Sequence, residues 1–216
     1  MPSTLQNKIK AIDAEVVRLH YKWKHCKQVF GSDKKVKLLN EAAPRFFGYL
    51  WNLMLFDIVL SIARLTDPPK TRVKSINKEN LSFDNLMLEI KDASLRSQVS
   101  QQILALKMKM KAVKTWRDET IAHKDLLRQM KEIPLPTIQV SEITDALALI
   151  RGIMNVFHRQ FNSQTVVYEI CFKHDPGDGK SLMYYLKYGF DAFKEDCSRP
   201  DIWSRRDHEI TKWLED

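Results

Sequence analysis

Apolar side chains recur at spacings of three and four along most of this chain, the period of a helix with one buried face. Leu5, Ile9, Ile12, Val16, Leu19 and Trp23 form the first such stripe, which predicts a helix over residues 3–30 with Gly31 able to end it. A second helix is expected from about Asn40 to Thr66, stopped by Asp67-Pro68-Pro69, because proline has no N–H to donate and clashes with the preceding turn. Residues 68–81, rich in Lys and Asn, read as a loop, and Ser82 as the cap of a short helix. A long helix is predicted from about Ser94 to His123 or a little beyond. Ser141 is expected to cap another over Glu142–Phe161, with Ile143, Leu147, Ile150, Met154 and Phe157 on one stripe. Thr165–Phe172 is dense in β-branched and aromatic residues and reads as a strand; a turn, a helix near 182–197 and an amphipathic tail follow. The expected fold is all-α: a bundle of four main helices plus a short one over residues 1–163, with up-and-down neighbours. A small C-terminal extension, 164–216, is expected to pack on it and to hold a strand or hairpin.

Composition supports that fold. Of 216 residues 44% are hydrophobic, enough for a core, while only 6 are Gly and 8 Pro, too few turns for a sandwich or barrel. The net charge of +8 and a pI near 9.3 point to an anionic partner. The excess is uneven: residues 1–40 carry nine Lys/Arg against three acids, and residues 107–131 eight against three. Three cysteines at wide spacing exclude a disulfide framework, and His20, His25 and Cys26 lack the second ligand pair of a structural zinc site, so no metal is expected. Free thiols and no apolar leader point to the cytoplasm. The 18-residue run Phe46–Ala63 reaches the lower length of a membrane span, but Asn52 and Asp57 lie inside it. It reads instead as a helix buried on most sides, with no membrane partner.

Three stretches carry candidate chemistry. "GDGKS" (Gly177–Ser181) ends like a phosphate-binding loop, but His174 stands where that loop needs its first glycine, so a surface turn is expected. "ARLTD" closes the most apolar helix, with Arg64 and Asp67 at a spacing that allows them to pair. "WRDETIAHKD" (Trp116–Asp125) places Arg117 on the apolar stripe of Ile103, Leu106, Met110, Val113 and Ile121. A guanidinium there needs an anion, and Asp57 and Asp118 are the candidates. His123 lies about 120° round the same helix, so the two meet only at the rim of a cleft, across a bend, or between two chains. Lys107, Lys111 and Lys114 share one flank.

"LSIARLTDP" followed by "WRDETIAHKD" resembles the HEPN superfamily, in its abortive-infection U-type branch, over roughly residues 5–160. The resemblance implies a HEPN-like helical bundle that dimerises. It also implies a metal-independent endoribonuclease of a toxin or phage-defence type, with no cofactor and with RNA as partner. Toxin-type members add a cognate antitoxin. In such proteins two copies of the motif meet at the dimer interface and share one cleft, which reconciles the 120° separation. Arg117 and His123 are then the catalytic residues, with Asp118 orienting them and Arg64 and Asp67 supporting. Lys107, Lys111, Lys114 and Lys124 are the expected RNA-binding cations. The alternative is a non-catalytic helical module that binds RNA or protein in the same cleft.

Overall fold

The structure is a computed structural model that describes residues 5–73, 76–121, 134, 136–169, 177–199, 207 and 209–212. Helix α1 spans Leu5–Phe30, and its predicted stripe from Ile9 to Trp23 is buried. Gly31 follows it where the chain turns so tightly that an added Cβ would stand 2.2 Å from the Lys27 carbonyl oxygen, so only glycine fits. Where one helix was expected from residue 40 to 66 there are two, α2 (Asp33–Ala42) and α3 (Pro44–Leu65). Pro44 is the reason. It disfavours helical backbone at Ala43, and it suits the first position of the next helix, where its missing N–H is not needed.

The expected loop at 68–81 contains an antiparallel hairpin, β1 (Lys70–Val73) and β2 (Ile76–Glu79), with Lys70 opposite Glu79. It buries no side chain of β2, so it has no apolar alternation to announce it. Asn80 secures its base instead, donating from Nδ2 to the Pro68 carbonyl and to Thr71 Oγ1, each at 2.7 Å.

Helix α4 (Phe83–Met87) starts under Ser82 as predicted, with the hydroxyl accepting the Asn85 N–H at 3.3 Å. The long helix from 94 to 123 is a correction. Helix α5 (Ala93–Lys109) begins under an Asp92 cap and stops at Met110; α6 (Lys111–Trp116) resumes, and Arg117–Ile121 widens into a π-helical turn. Met110 sits at φ −97°, ψ 24°, between the helical and turn regions, without a proline or glycine to mark the break. Helix α7 (Val140–Asn162) is capped by Gln139 and Glu142 acting reciprocally, ahead of the expected Ser141 cap. Its stripe Ile143, Leu147, Ile150, Met154 and Phe157 is buried as expected. Of the strand expected at Thr165–Phe172, residues 165–169 are irregular backbone and turn, tied by the buried Asn155 amide to Val166 N–H and C=O. The remainder of that segment lies outside the described residues. Helix α8 is Gly179–Asp196.

The chain divides into two compact units. The first, residues 1–24 and 52–173, holds the hairpin, α4 to α7 and parts of α1 and α3; its core is built from Val16 and Leu19, Ile58 and Ile62, Val99 and Leu106, and the α7 stripe. The second, residues 25–51 and 174–216, has a small core of Val29, Leu39, Phe47 and Met183, with Leu50 and Leu186 against it. Helix α3 is long and apolar enough to cross a membrane by length and composition, and 39% of its most apolar window is buried. The expectation that it is buried on most sides holds only for its C-terminal half. Its N-terminal half is covered on the Phe47 side and leaves Phe46 and Tyr49 exposed.

Candidate functional site

The end of α3 and the end of α6 meet in the first unit. Thr66 folds its hydroxyl back onto the carbonyls of Ile62 and Ala63, which closes α3 and leaves Asp67 just beyond it. Trp116 anchors the other side: its indole Nε1 donates to the Pro136 carbonyl at 2.6 Å, and its ring meets Phe56 edge-on at 5.8 Å. Arg117 is therefore presented by a fixed neighbour, at the first residue of a π-helical turn. Such turns are rare and recur at functional sites.

Arg117 pairs with Asp67 through Nη1 and with Asp118 through Nε, the latter at 2.7 Å. Partial burial opposes its charge. The hydrogen bonds and charges of Asp118 and Asp67 outweigh that cost and raise its pKa above the ordinary value. The pairing corrects two expectations. Asp57, offered as a partner for Arg117, pairs with Lys22 at 2.8 Å and also belongs to a Lys22–Ser61 cluster. Asp67 pairs with Arg117, 50 residues on, and not with Arg64. Arg64 is exposed and faces a separate depression of about 260 Å³ that Asp67 also borders. "RLTDP" and "WRDET" are thus joined through the aspartate of one and the arginine of the other.

Arg117 lines a groove of about 470 Å³ together with Asp67, Lys107, Lys111 and Lys114. The three lysines expected on one flank do share its wall, because residues i, i+4 and i+7 face one way and the break at Met110 does not disturb that order. Lys107 is held by Asp84, which has no local signal in the sequence, since its partner is 23 residues away. Lys111 and Lys114 are exposed or nearly so. A guanidinium has five N–H donors. Two of Arg117's are engaged by the carboxylates, and among the described residues the others meet no acceptor. His123 and Lys124 lie outside the described residues.

"GDGKS" is neither a phosphate loop nor a bare surface turn. Asp178 caps α8 by accepting from Lys180 N–H at 2.9 Å and Ser181 N–H at 3.3 Å, and Gln28 Nε2 donates to it at 2.6 Å. The Gly179 amide is taken by His25 Nδ1 and Gln28 Oε1. The amides that an anion needs are already satisfied by the protein.

A family model described as AbiU2, of the HEPN type, matches residues 3–182. Neither the comparison with curated proteins nor that with solved structures returned a match.

Proposed function

The chain belongs to the AbiU2 family of HEPN proteins, an abortive-infection type, and from that premise we propose that it is a metal-independent endoribonuclease acting as a homodimer in phage defence. The observation that carries this reading is Arg117, clamped between Asp67 and Asp118 on the wall of a lysine-lined groove. RNA supplies its own nucleophile, the 2′-hydroxyl. Attack on the adjacent phosphorus forms a 2′,3′-cyclic phosphate and expels the 5′-oxygen, so the reaction needs one group to take a proton, one to give a proton, and a fixed positive charge on the phosphate oxygens.

Arg117 supplies the charge. It is ionised at every accessible pH and reaches two oxygens at once, and the carboxylates hold its plane so that little reorganisation is needed as charge builds. His123 is assigned the proton transfer, the role that imidazole suits near neutral pH. Lys111 and Lys114 hold neighbouring phosphates. No step requires a metal, because the nucleophile is internal and the charge is carried by arginine.

The test is cleavage of mixed cellular RNA in excess EDTA by wild type, Arg117→Ala and His123→Ala. Cutting by wild type alone, with 2′,3′-cyclic phosphate ends, is the expected result. If wild type leaves the RNA intact, the ribonuclease reading fails. A second reading rests on the same carboxylates: with Asp67 and Asp118 occupying Arg117, the exposed Lys111 and Lys114 are left to hold phosphates, which suits a non-catalytic RNA-binding module. Under it, His123→Ala binds RNA as wild type does and neither protein cuts.

A further inference from the structure

The second unit carries a basic, aromatic surface that the Arg117 groove does not use. Helix α2 presents Lys34, Lys35 and Lys37 to a groove of about 400 Å³, and α8 completes it with Lys187 and Lys194. Two carboxylates share the groove: Asp191 pairs with Lys187, one turn along α8, and Glu41 with Lys194 at 3.3 Å. Five ammonium groups against two carboxylates leave a net charge of +3. Among the described residues the three α2 lysines make no ion pair.

Helix α8 also turns out three tyrosines: at about 100° per residue Tyr184 and Tyr188 fall on the flank next to Lys187 and Asp191, and Tyr185 lies further round. Tyr184, Tyr185 and Tyr188 are 67%, 71% and 69% exposed, although tyrosine is ordinarily half buried. The rings of Tyr184 and Tyr188, one turn apart, lie 14° from parallel with centroids 6.5 Å apart, and Tyr185 stands edge-on to Tyr184 at 5.6 Å. The apolar side of α8 is occupied elsewhere: Met183 and Leu186 are in the small core. The tyrosines therefore contribute nothing to that core, and their exposure leaves ring faces open to solvent next to a cationic track.

We propose that this surface binds single-stranded RNA, with phosphates along the α2 and α8 lysines and bases stacked on Tyr184 and Tyr188. A single strand offers both things the surface asks for, a polyanionic backbone and unpaired base faces, and lysine grooves flanked by aromatic rings are how such strands are held without sequence choice. A duplex hides its base faces. An acidic peptide has no use for parallel rings. A bilayer favours an apolar stripe of Leu, Phe or Trp; the exposed Leu182 and Phe193 of this helix lie about 120° or more round it from Tyr184 and Tyr188, so they form no stripe with them. The choice of RNA over other polyanions rests on the ribonuclease reading; the binding itself does not require cutting.

The experiment is fluorescence anisotropy with an end-labelled 2′-O-methyl oligouridine of about twelve nucleotides, a length within the site size of such surfaces. It has no free 2′-hydroxyl to act as nucleophile and stays whole. A Lys111→Ala/Lys114→Ala/Arg117→Ala background removes the exposed lysines and the arginine of the Arg117 groove. In that background Tyr184→Ala/Tyr188→Ala is expected to weaken binding by about tenfold or more, while Tyr184→Phe/Tyr188→Phe holds it, since stacking needs the ring and not the hydroxyl. Lys34→Ala/Lys37→Ala/Lys187→Ala is expected to reduce the slope of log affinity against log salt by about 2, at ~0.7 for each phosphate no longer neutralised. Unchanged affinity in the tyrosine-to-alanine variant overturns the proposal. So does displacement of the RNA by polyglutamate or by phosphatidylserine vesicles at equal charge. Cleavage of unmodified RNA is scored separately. A chain that does not cut but binds through its tyrosines loses the ribonuclease reading and keeps this surface; one that cuts but ignores the tyrosines loses this surface alone.

Discussion

Arg117 shows how a single charged side chain is made useful. A buried guanidinium without partners would cost several kcal/mol, and one fully surrounded by carboxylates would have nothing left to bind with. Here two carboxylates fix it, and it still lines an open groove. Under the proposed mechanism, Arg117→Lys keeps the charge but loses the planar two-oxygen grip, and kcat on RNA is expected to fall about 10²–10³-fold. Asp67→Asn keeps the shape and removes the longer-range clamp; the expected outcome is a lower kcat with KM little changed, because the misaligned arginine still attracts phosphate. A pure KM effect in steady-state cleavage would assign Asp67 to binding instead. Cysteine chemistry provides an independent residue-scale check. Burial pushes the Cys26 thiol up to about 11, whereas Cys197 is exposed. Iodoacetamide at about pH 8 should therefore label Cys197 long before Cys26, as read by peptide mass mapping. The sign for stability follows: with the folded pKa above the ordinary 9.0, the neutral thiol's contribution is whole below that value and is lost as pH rises toward 11.

Elements here end for different reasons, and each reason is testable. Pro44 separates α2 from α3 by its own geometry, Gly31 ends α1 by close approach, and α7 ends on Ser163 in the left-handed region at φ 52°. That conformation costs a non-glycine residue about 1 kcal/mol or more. Ser163→Gly is expected to stabilise by about 0.5–1 kcal/mol once glycine's extra unfolded-state freedom is deducted, raising Tm by roughly 1–4 °C in thermal unfolding. A lower Tm would show that the serine side chain contributes more than its backbone costs. The break at Met110 and the π-helical turn at Arg117 act together: they interrupt a helix that would otherwise run straight, while the lysines at 107, 111 and 114 still share a wall with Arg117.

At the scale of the whole molecule, the proposed activity requires two chains. Sedimentation of the full chain at micromolar concentration is expected to show a dimer. A monomer over that range would remove the shared cleft and with it the route by which Arg117 and His123 face one phosphate. The basic charge of +8 has its own consequence: RNA affinity should fall steeply between low and physiological salt, with Lys111→Ala/Lys114→Ala reducing the slope by about 1.4, at ~0.7 per phosphate. A salt-independent affinity would contradict phosphate recognition in the groove.

The sequence by itself determined the helical class and most of the helices, because a 3.6-residue period of apolar side chains is a local signal that the folded core then satisfies. The stripes of α1 and α7, the Ser82 cap and the membership shown by residues 3–182 were all legible from it. The hairpin at 70–79 was not, because β2 buries no side chain and the backbone pairing and Asn80 that hold it leave no apolar pattern. The split at Ala43 does have a local signal, Pro44, inside an otherwise continuous helical pattern. The site divides the same way. That Arg117 needed an anion followed from its place on an apolar stripe. That the anion is Asp67 and not Asp57, and that Asp84 holds Lys107, depended on pairings spanning 50 and 23 residues. Spacing along a chain orders side chains around one helix; only tertiary packing decides which carboxylate of another element reaches them.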